Sequence, residues 1–198
     1  MEKKLIQLSF DDGDCYDLRL AELLLKWKLP ATFYIPTCCQ LNENQIRWLV
    51  ENGFEIGGHT TTHPQDIKIL SPENQFNEII ENKEWLEEII KKPIEKFCYP
   101  RGRQNEITRA AVARAGFREA RITLQGKIWR PVDPLQTWTT EKIKKDDPGW
   151  YNSAVAYLAG PGDYFHFWGH SIDLEITNGW NLINNLFEKI HAALYSEL

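Results

Sequence analysis

Short apolar runs alternate with longer amphipathic stretches along the whole chain. Leu5 to Phe10 predicts a strand. Leu18 to Trp27 has apolar residues at 18, 20, 21, 23, 24, 25 and 27, which is helical spacing, and Pro30 lies beyond it. Ala31–Ile35 predicts a second strand, closed by Pro36. Asn42 is placed to cap a helix running to about Asn52, with Gly53 ending it. Phe54–Ile56 predicts a third strand. Ser71 and Pro72 supply an N-cap and a first-turn proline, and Phe76, Ile79, Ile80, Leu86, Ile89 and Ile90 carry that helix towards Pro93. Ile94–Tyr99 predicts a fourth strand, Asn105–Ala115 a helix stopped by Gly116, and Phe117–Ile122 a fifth strand. Between 123 and 150 the pattern is broken by Pro131, Pro134 and Pro148, and the basic run Lys142-Ile143-Lys144-Lys145 reads as a solvated face. Trp150–Leu158 predicts a helix, Tyr164–Trp168 a buried strand, and Asn178–Leu198 a terminal amphipathic helix.

Strand–helix alternation over 198 residues implies one α/β domain, residues 1–198, with a mainly parallel sheet. Polar residues collect where strands end. Asp11 and Asp12 follow the first strand, His59 and His63 the third, Arg101 the fourth and His170 the last. In a β/α barrel such ends open on one face, where active sites lie.

At the end of the first strand, Ser9-Phe10 gives way to Asp11-Asp12-Gly13. Adjacent residues of an extended chain point to opposite sides, so the two carboxylates are expected to do different work, one binding a metal and one handling a proton. His59 and His63, four residues apart, could reach one cation. With Asp12 they form a two-histidine, one-carboxylate set that leaves positions open for water, as in catalytic zinc sites. The same set could serve a non-haem iron oxygenase, but alternation with helices argues against the fold those enzymes use. Gly169-His170-Ser171-Ile172-Asp173, with His191 downstream, begins like a serine-hydrolase elbow, yet Asp173 stands where that motif requires glycine.

The formal net charge of −5 argues against nonspecific nucleic-acid binding, which needs a basic face. Cys15, Cys38, Cys39 and Cys98 form no C-x-x-C pair and read as reduced thiols of a reducing compartment. The eight tryptophans and seven tyrosines include candidates for lining a sugar cleft. The first apolar run is too short for a secretory leader, and no stretch approaches a membrane span, so a cytoplasmic location is expected.

Four motifs in order resemble those of the polysaccharide deacetylases, the NodB-homology enzymes of carbohydrate esterase family 4. They are Ser9–Gly13, His59-Thr60-Thr61-Thr62-His63, Phe97-Cys98-Tyr99-Pro100-Arg101-Gly102 and His166-Phe167-Trp168-Gly169-His170. The resemblance implies a distorted (β/α) barrel. It also implies a divalent metal, most often zinc, with cobalt, nickel or manganese as alternatives. The implied reaction is hydrolysis of a linear, non-peptide amide: removal of acetyl groups from N-acetylated sugars of a polysaccharide or glycan precursor. Carried over residue by residue, Asp11 is the general base, Asp12, His59 and His63 are metal ligands, and His170 is the general acid. Tyr99, Pro100, Arg101 and Trp168 would contact substrate, with the Arg101 N–H facing the oxyanion. His166 reads as a supporting partner of His170, and His191 as a surface or packing residue.

The chain departs from the family pattern in two places. Cys98 stands where the third motif usually carries an arginine that pairs with the base; Arg121, at the end of the fifth strand, is favoured over Arg103 to replace it as a catalytic-site residue. The fourth motif survives only as the possible echoes Asp133 and Trp138. An O-acetyl esterase, or a catalytically inactive carbohydrate-binding relative, remains an alternative on the same fold.

Overall fold

The structure, a computed structural model, describes residues 4–195. Seven strands form one parallel sheet: β1 (Leu5–Asp11), β2 (Thr32–Ile35), β3 (Glu55–Gly58), β4 (Lys96–Cys98), β5 (Glu119–Arg121), β6 (Glu141–Lys142) and β7 (Tyr164–Gly169). Their spatial order is β5-β4-β3-β2-β1-β7-β6. The helices are α1 (Asp17–Lys26), α2 (Glu43–Glu51), α3 (Pro72–Ile90), α4 (Glu106–Arg114), α5 (Trp150–Ala159), α6 (Ser171–Ile176) and α7 (Trp180–Tyr195). None is long and apolar enough to cross a membrane among the described residues.

The sheet curls because one segment bonds to both of its edges. Thr137 N donates to Ala120 O (2.8 Å) and Ile122 N to Thr137 O (2.9 Å) on the β5 side. Three residues on, Thr140 N donates to His166 O (2.8 Å), and Ile143 N to Trp168 O (2.9 Å), on the β7 side. The product is the distorted, incompletely closed barrel that the strand–helix alternation and the motifs led us to expect.

Strand alternation separates two interiors. Leu8 and Phe10 of β1, Phe33 of β2 and Phe165 and Phe167 of β7 are buried in the hydrophobic core. Phe10 packs on Phe33 and Phe187 (ring centroids 5.8 and 6.4 Å), and Phe167 on Trp150 of α5 (5.6 Å). The alternate residues Ser9 and Asp11 of β1, and Tyr164, His166 and Trp168 of β7, are also buried, but among polar groups. His166 is within hydrogen-bond distance of Ser9 Oγ (2.8 Å) and the Tyr164 hydroxyl (2.9 Å). It therefore braces the barrel interior rather than His170.

Several boundaries differ from the sequence expectation. β4 and β5 are half the expected length; a short turn at Pro100–Gly102 follows β4, and irregular chain follows Arg121. The stretch 123–150 contributes β6. The basic run is not a solvated face: Ile143 is buried, Lys144 pairs with Glu141, and Lys142 turns towards the cleft. α6 follows β7 at once and was not anticipated, because six residues are too few to show periodicity. The terminal helix is seen to Tyr195; its expected end at Leu198 lies outside the described residues.

Helix α3 is fastened to the sheet by a buried amide. Asn82 Nδ2 donates to Ile35 O and Thr37 Oγ1 (both 3.1 Å), while its Oδ1 accepts from His59 N (2.8 Å). Asn82→Ala strands the buried Ile35 O and His59 N and the half-buried Thr37 hydroxyl, so a loss of about 2–4 kcal/mol in unfolding free energy is expected by urea denaturation.

Candidate active site

The ends of β1, β3, β4, β5, β6 and β7 surround a cleft of about 340 Å³. Asp11 is the last residue of β1 and lies inside the barrel mouth, 2% exposed. Asp12 leaves the strand with φ +79°, a left-handed conformation, so it does not continue the strand's alternation. That twist brings both carboxylates to one cleft instead of opposite faces. Gly13 follows at φ +61°, where a β-carbon would lie 2.8 Å from Cys39 Cβ.

His59 and His63 sit on an irregular loop after β3, not on a helical turn. Thr60 and His63 both have positive φ (69° and 51°). The loop is held from α3: Glu78 accepts from Thr62 N (2.8 Å) and Thr62 Oγ1 (2.7 Å), and its carbonyl accepts from Thr61 N (2.9 Å). Of the seven non-glycine residues with positive φ among the described residues, Asp12, His63 and Arg101 line this cleft and Thr60 lies buried in the histidine loop. Such strain persists only where surrounding contacts fix it.

The result is convergence on Asp12 Oδ1, which has His59 Nε2 at 3.4 Å and His63 Nε2 at 3.5 Å. His59 Nδ1 lies 2.7 Å from Cys98 O, so it carries the proton and leaves Nε2 as the ligating nitrogen. Asp12 Oδ1 is buried and makes no hydrogen bond. Burial works against a charge on Asp12, but the surrounding His59, His170 and His63 hold its carboxyl far below the usual range. A buried anionic oxygen without a donor, facing two imidazole nitrogens, is a donor set that fits a divalent cation. Asp11, His59 and Cys98 form a second group with converging ligand atoms. There the Arg121 guanidinium already occupies Asp11, and burial raises the Cys98 thiol, so that group suits a cation poorly.

Arg121 reaches Asp11 of β1 across the barrel mouth from β5, the strand beside β4. In register it stands beside Cys98, and its Nη2 donates to Asp11 Oδ2 and contacts Cys98 Sγ (3.0 Å). The guanidinium lies over the Trp168 ring (4.3 Å from its centroid) and near Tyr34 (5.3 Å). Arg121 is fully buried. Arg103, the other candidate, bonds to Gln65 O (2.9 Å) and stays outside.

On the far side of Asp12, His170 Nε2 is 3.5 Å from Oδ2, and its Nδ1 is 3.1 Å from Asp173 Oδ2. Burial would lower its pKa, but Asp173, Asp11 and Asp12 raise it overall above the ordinary imidazole value. Asp173 was not singled out as its partner; the three-residue spacing over the start of α6 is the only local signal.

Some expected residues lie elsewhere. Tyr99 is fully buried, its hydroxyl donating to Leu135 O (3.1 Å), and Pro100 is buried behind the cleft; neither reaches it. Arg101 and Trp168 do line it, and so do Thr123, Gln125 and Lys142, which sequence reasoning missed. Asp133 caps a short turn and pairs with Arg109 (3.3 Å), while Trp138 Nε1 donates to Trp129 O (2.8 Å); these echoes of a fourth motif stay outside. The serine-hydrolase alternative fails on geometry. The Ser171 hydroxyl is buried between Asp14 (2.6 Å) and Asp17 (2.7 Å), and His191 Nδ1 lies 2.7 Å from Trp27 O.

The chain matches the polysaccharide deacetylase family over residues 1–120. A peptidoglycan-N-acetylglucosamine deacetylase of Bacillus cereus is 31% identical over 118 residues, covering 58% of this chain and 54% of that protein. The fold is shared with a family 4 carbohydrate esterase from Streptomyces lividans in complex with acetate, at 17% identity and TM-score 0.72, over 95% of this chain and 90% of that one. It is also shared with the Streptococcus pyogenes deacetylase PplD in complex with acetate, at 24% identity and TM-score 0.66, over 70% and 65% of the two chains. The chain spans about half the length of the first curated relatives it matches.

Two variants test this arrangement. Arg121→Met leaves Asp11 buried without a countercharge, and a loss of about 3–5 kcal/mol in stability is expected by denaturant titration. After loading with zinc and dialysis, Asp12→Asn is expected to lose metal, whereas Asp11→Asn keeps it; elemental analysis of the purified proteins checks both.

Proposed function

The chain belongs to the polysaccharide deacetylase family, and on that premise we propose that it is a metal-dependent hydrolase removing acetyl groups from N-acetylated sugars. The observation that carries this is the meeting of Asp12 Oδ1 with two imidazoles, flanked by the ion-paired Asp11 and by His170. Asp12, His59 and His63 would hold the cation, and a carboxylate with two imidazoles favours zinc. When bound, the cation supplies Lewis-acid polarisation of the acetyl carbonyl and acidifies a water.

The protein's own groups do the rest. Asp11 is the base: Arg121 engages Oδ2, and Oδ1 has no partner, so it is free to take a proton. Arg121 fixes the orientation of Asp11 through their ion pair, the task the family assigns to the residue at the Cys98 position. An amide nitrogen cannot leave as an anion, so His170 Nε2 delivers a proton to it. Asp173 accepts from Nδ1 and so keeps the ring turned with Nε2 towards the cleft. Four free cysteines, with Cys15 and Cys38 exposed, favour a reducing compartment and an intracellular glycan precursor as substrate.

The decisive comparison is between an amide and an ester. With the zinc-loaded protein, His170→Ala is expected to lower kcat/KM on a chitooligosaccharide by about 10²-fold or more, while hydrolysis of an activated acetate ester, whose leaving group needs no proton, falls far less. Equal losses on both remove His170 as the leaving-group acid. Turnover of the ester alone by the unmodified protein assigns the chain to O-deacetylation. A chelator should abolish both activities and added zinc restore them.

A further inference from the structure

The wall of the cleft built by the ends of β4, β5 and β6 has a different character from the wall that carries Asp12. It presents Arg101, Thr123, Gln125 and Lys142, two cations and two neutral polar groups. Neither cation has a carboxylate partner among the described residues. Glu141, next to Lys142 in sequence, is 4% exposed and pairs instead with Lys144 (3.1 Å). Lys142 Nζ stands 5.4 Å from the centre of the Trp168 ring, which keeps it over the cleft floor. Arg101 holds a left-handed backbone (φ +56°), a conformation costly for a side chain of its size. The turn is fixed by its neighbour: a β-carbon on Gly102 would lie 2.2 Å from Thr123 Oγ1, and Thr123 Oγ1 donates to Arg101 O (3.3 Å). In a chain with 28 acidic and 23 basic side chains, this wall is cationic and free of carboxylates.

We propose that this wall recognises an anionic substituent, a carboxylate or a phosphate, on the N-acetylated sugar, with Arg101 and Lys142 as the residues that hold it. The inference rests on the deacetylase activity proposed above and narrows its substrate class. An ammonium and a guanidinium without internal partners form strong charge-assisted hydrogen bonds to oxyanions, and the guanidinium can grip two oxygens at once. Thr123 and Gln125, between them along the wall, supply neutral donors. Trp168, only 4% exposed, lies beneath Lys142 and packs on the Arg121 guanidinium.

The test measures binding separately from turnover. Isothermal titration of the metal-free protein uses three probes: N-acetylglucosamine, the same sugar bearing a 3-O-lactyl carboxylate, and the same sugar as its 1-phosphate. At least one anionic probe is expected to bind about fivefold or more tightly than the neutral sugar, with the margin shrinking as salt is added. Which of the two does so tells carboxylate from phosphate. Arg101→Gln and Lys142→Gln should each reduce the margin, and the double variant should bring it close to one. If neither anionic probe binds more tightly than the neutral one, or the double variant keeps the full margin, the proposal is overturned. Turnover of the same probes by the zinc-loaded protein is read separately: failure to deacetylate any of them counts against the activity, and the binding margin still decides the inference.

Discussion

The structure depends on a guanidinium buried in the mouth of the barrel. Arg121 is fully buried and Asp11 nearly so at the cleft edge, and each would be a costly unpaired charge without the other. Their pairing lets the barrel interior hold a charged carboxylate at all. It also fixes what surrounds it. Trp168 and Tyr34 pack against the guanidinium, and Cys98 beside it is small enough to leave it room. An arginine on β5, in register beside Cys98 of β4, thereby bonds to Asp11 of β1.

Around that pair, the loops are held in conformations they would not adopt alone. Asp12, Thr60, His63 and Arg101 all sit in left-handed backbone regions. Each lies next to a contact that compensates: Asp12 N donates to Tyr34 O (3.1 Å), Glu78 and Asn82 of α3 hold the histidine loop, and Thr123 holds the turn at Arg101. Ser171, buried between Asp14 and Asp17, ties α6 to the loop after β1, and so sets His170 at its distance from Asp12. The hydrophobic layer between sheet and helices supplies stability, and the polar interior supplies orientation.

The cleft is also divided electrically. One wall concentrates negative charge at Asp12 and offers imidazole nitrogens, the chemistry of cation binding. The other carries Arg101 and Lys142. A substrate lying between them would meet the reacting groups on one side and groups suited to anion recognition on the other.

Much of this was legible in the residues themselves. Hydrophobic periodicity is set by local geometry, so the order of strands and helices and most of their positions followed from it, as did the collection of acids and imidazoles at strand ends. The two carboxylates after β1 and the histidines four apart after β3 are sequence-local pairs; a parallel sheet brings β1 and β3 to the same rim, and the left-handed turns at Asp12, Thr60 and His63 complete the convergence. What the sequence could not decide depended on groups far apart in the chain. Arg121 meets Asp11 across 110 positions, and no spacing rule distinguishes it from Arg103. Tyr99 looked like a substrate contact and is core, because the side on which a residue faces at the end of a three-residue strand is set by packing, not by pattern. Lys142 looked like part of a solvated run and turns into the cleft, because β6 exists only as the strip that joins the two edges of the sheet. Local chemistry was written in the chain; which distant side chains would share a charge, a floor or a wall was settled only when the sheet curled.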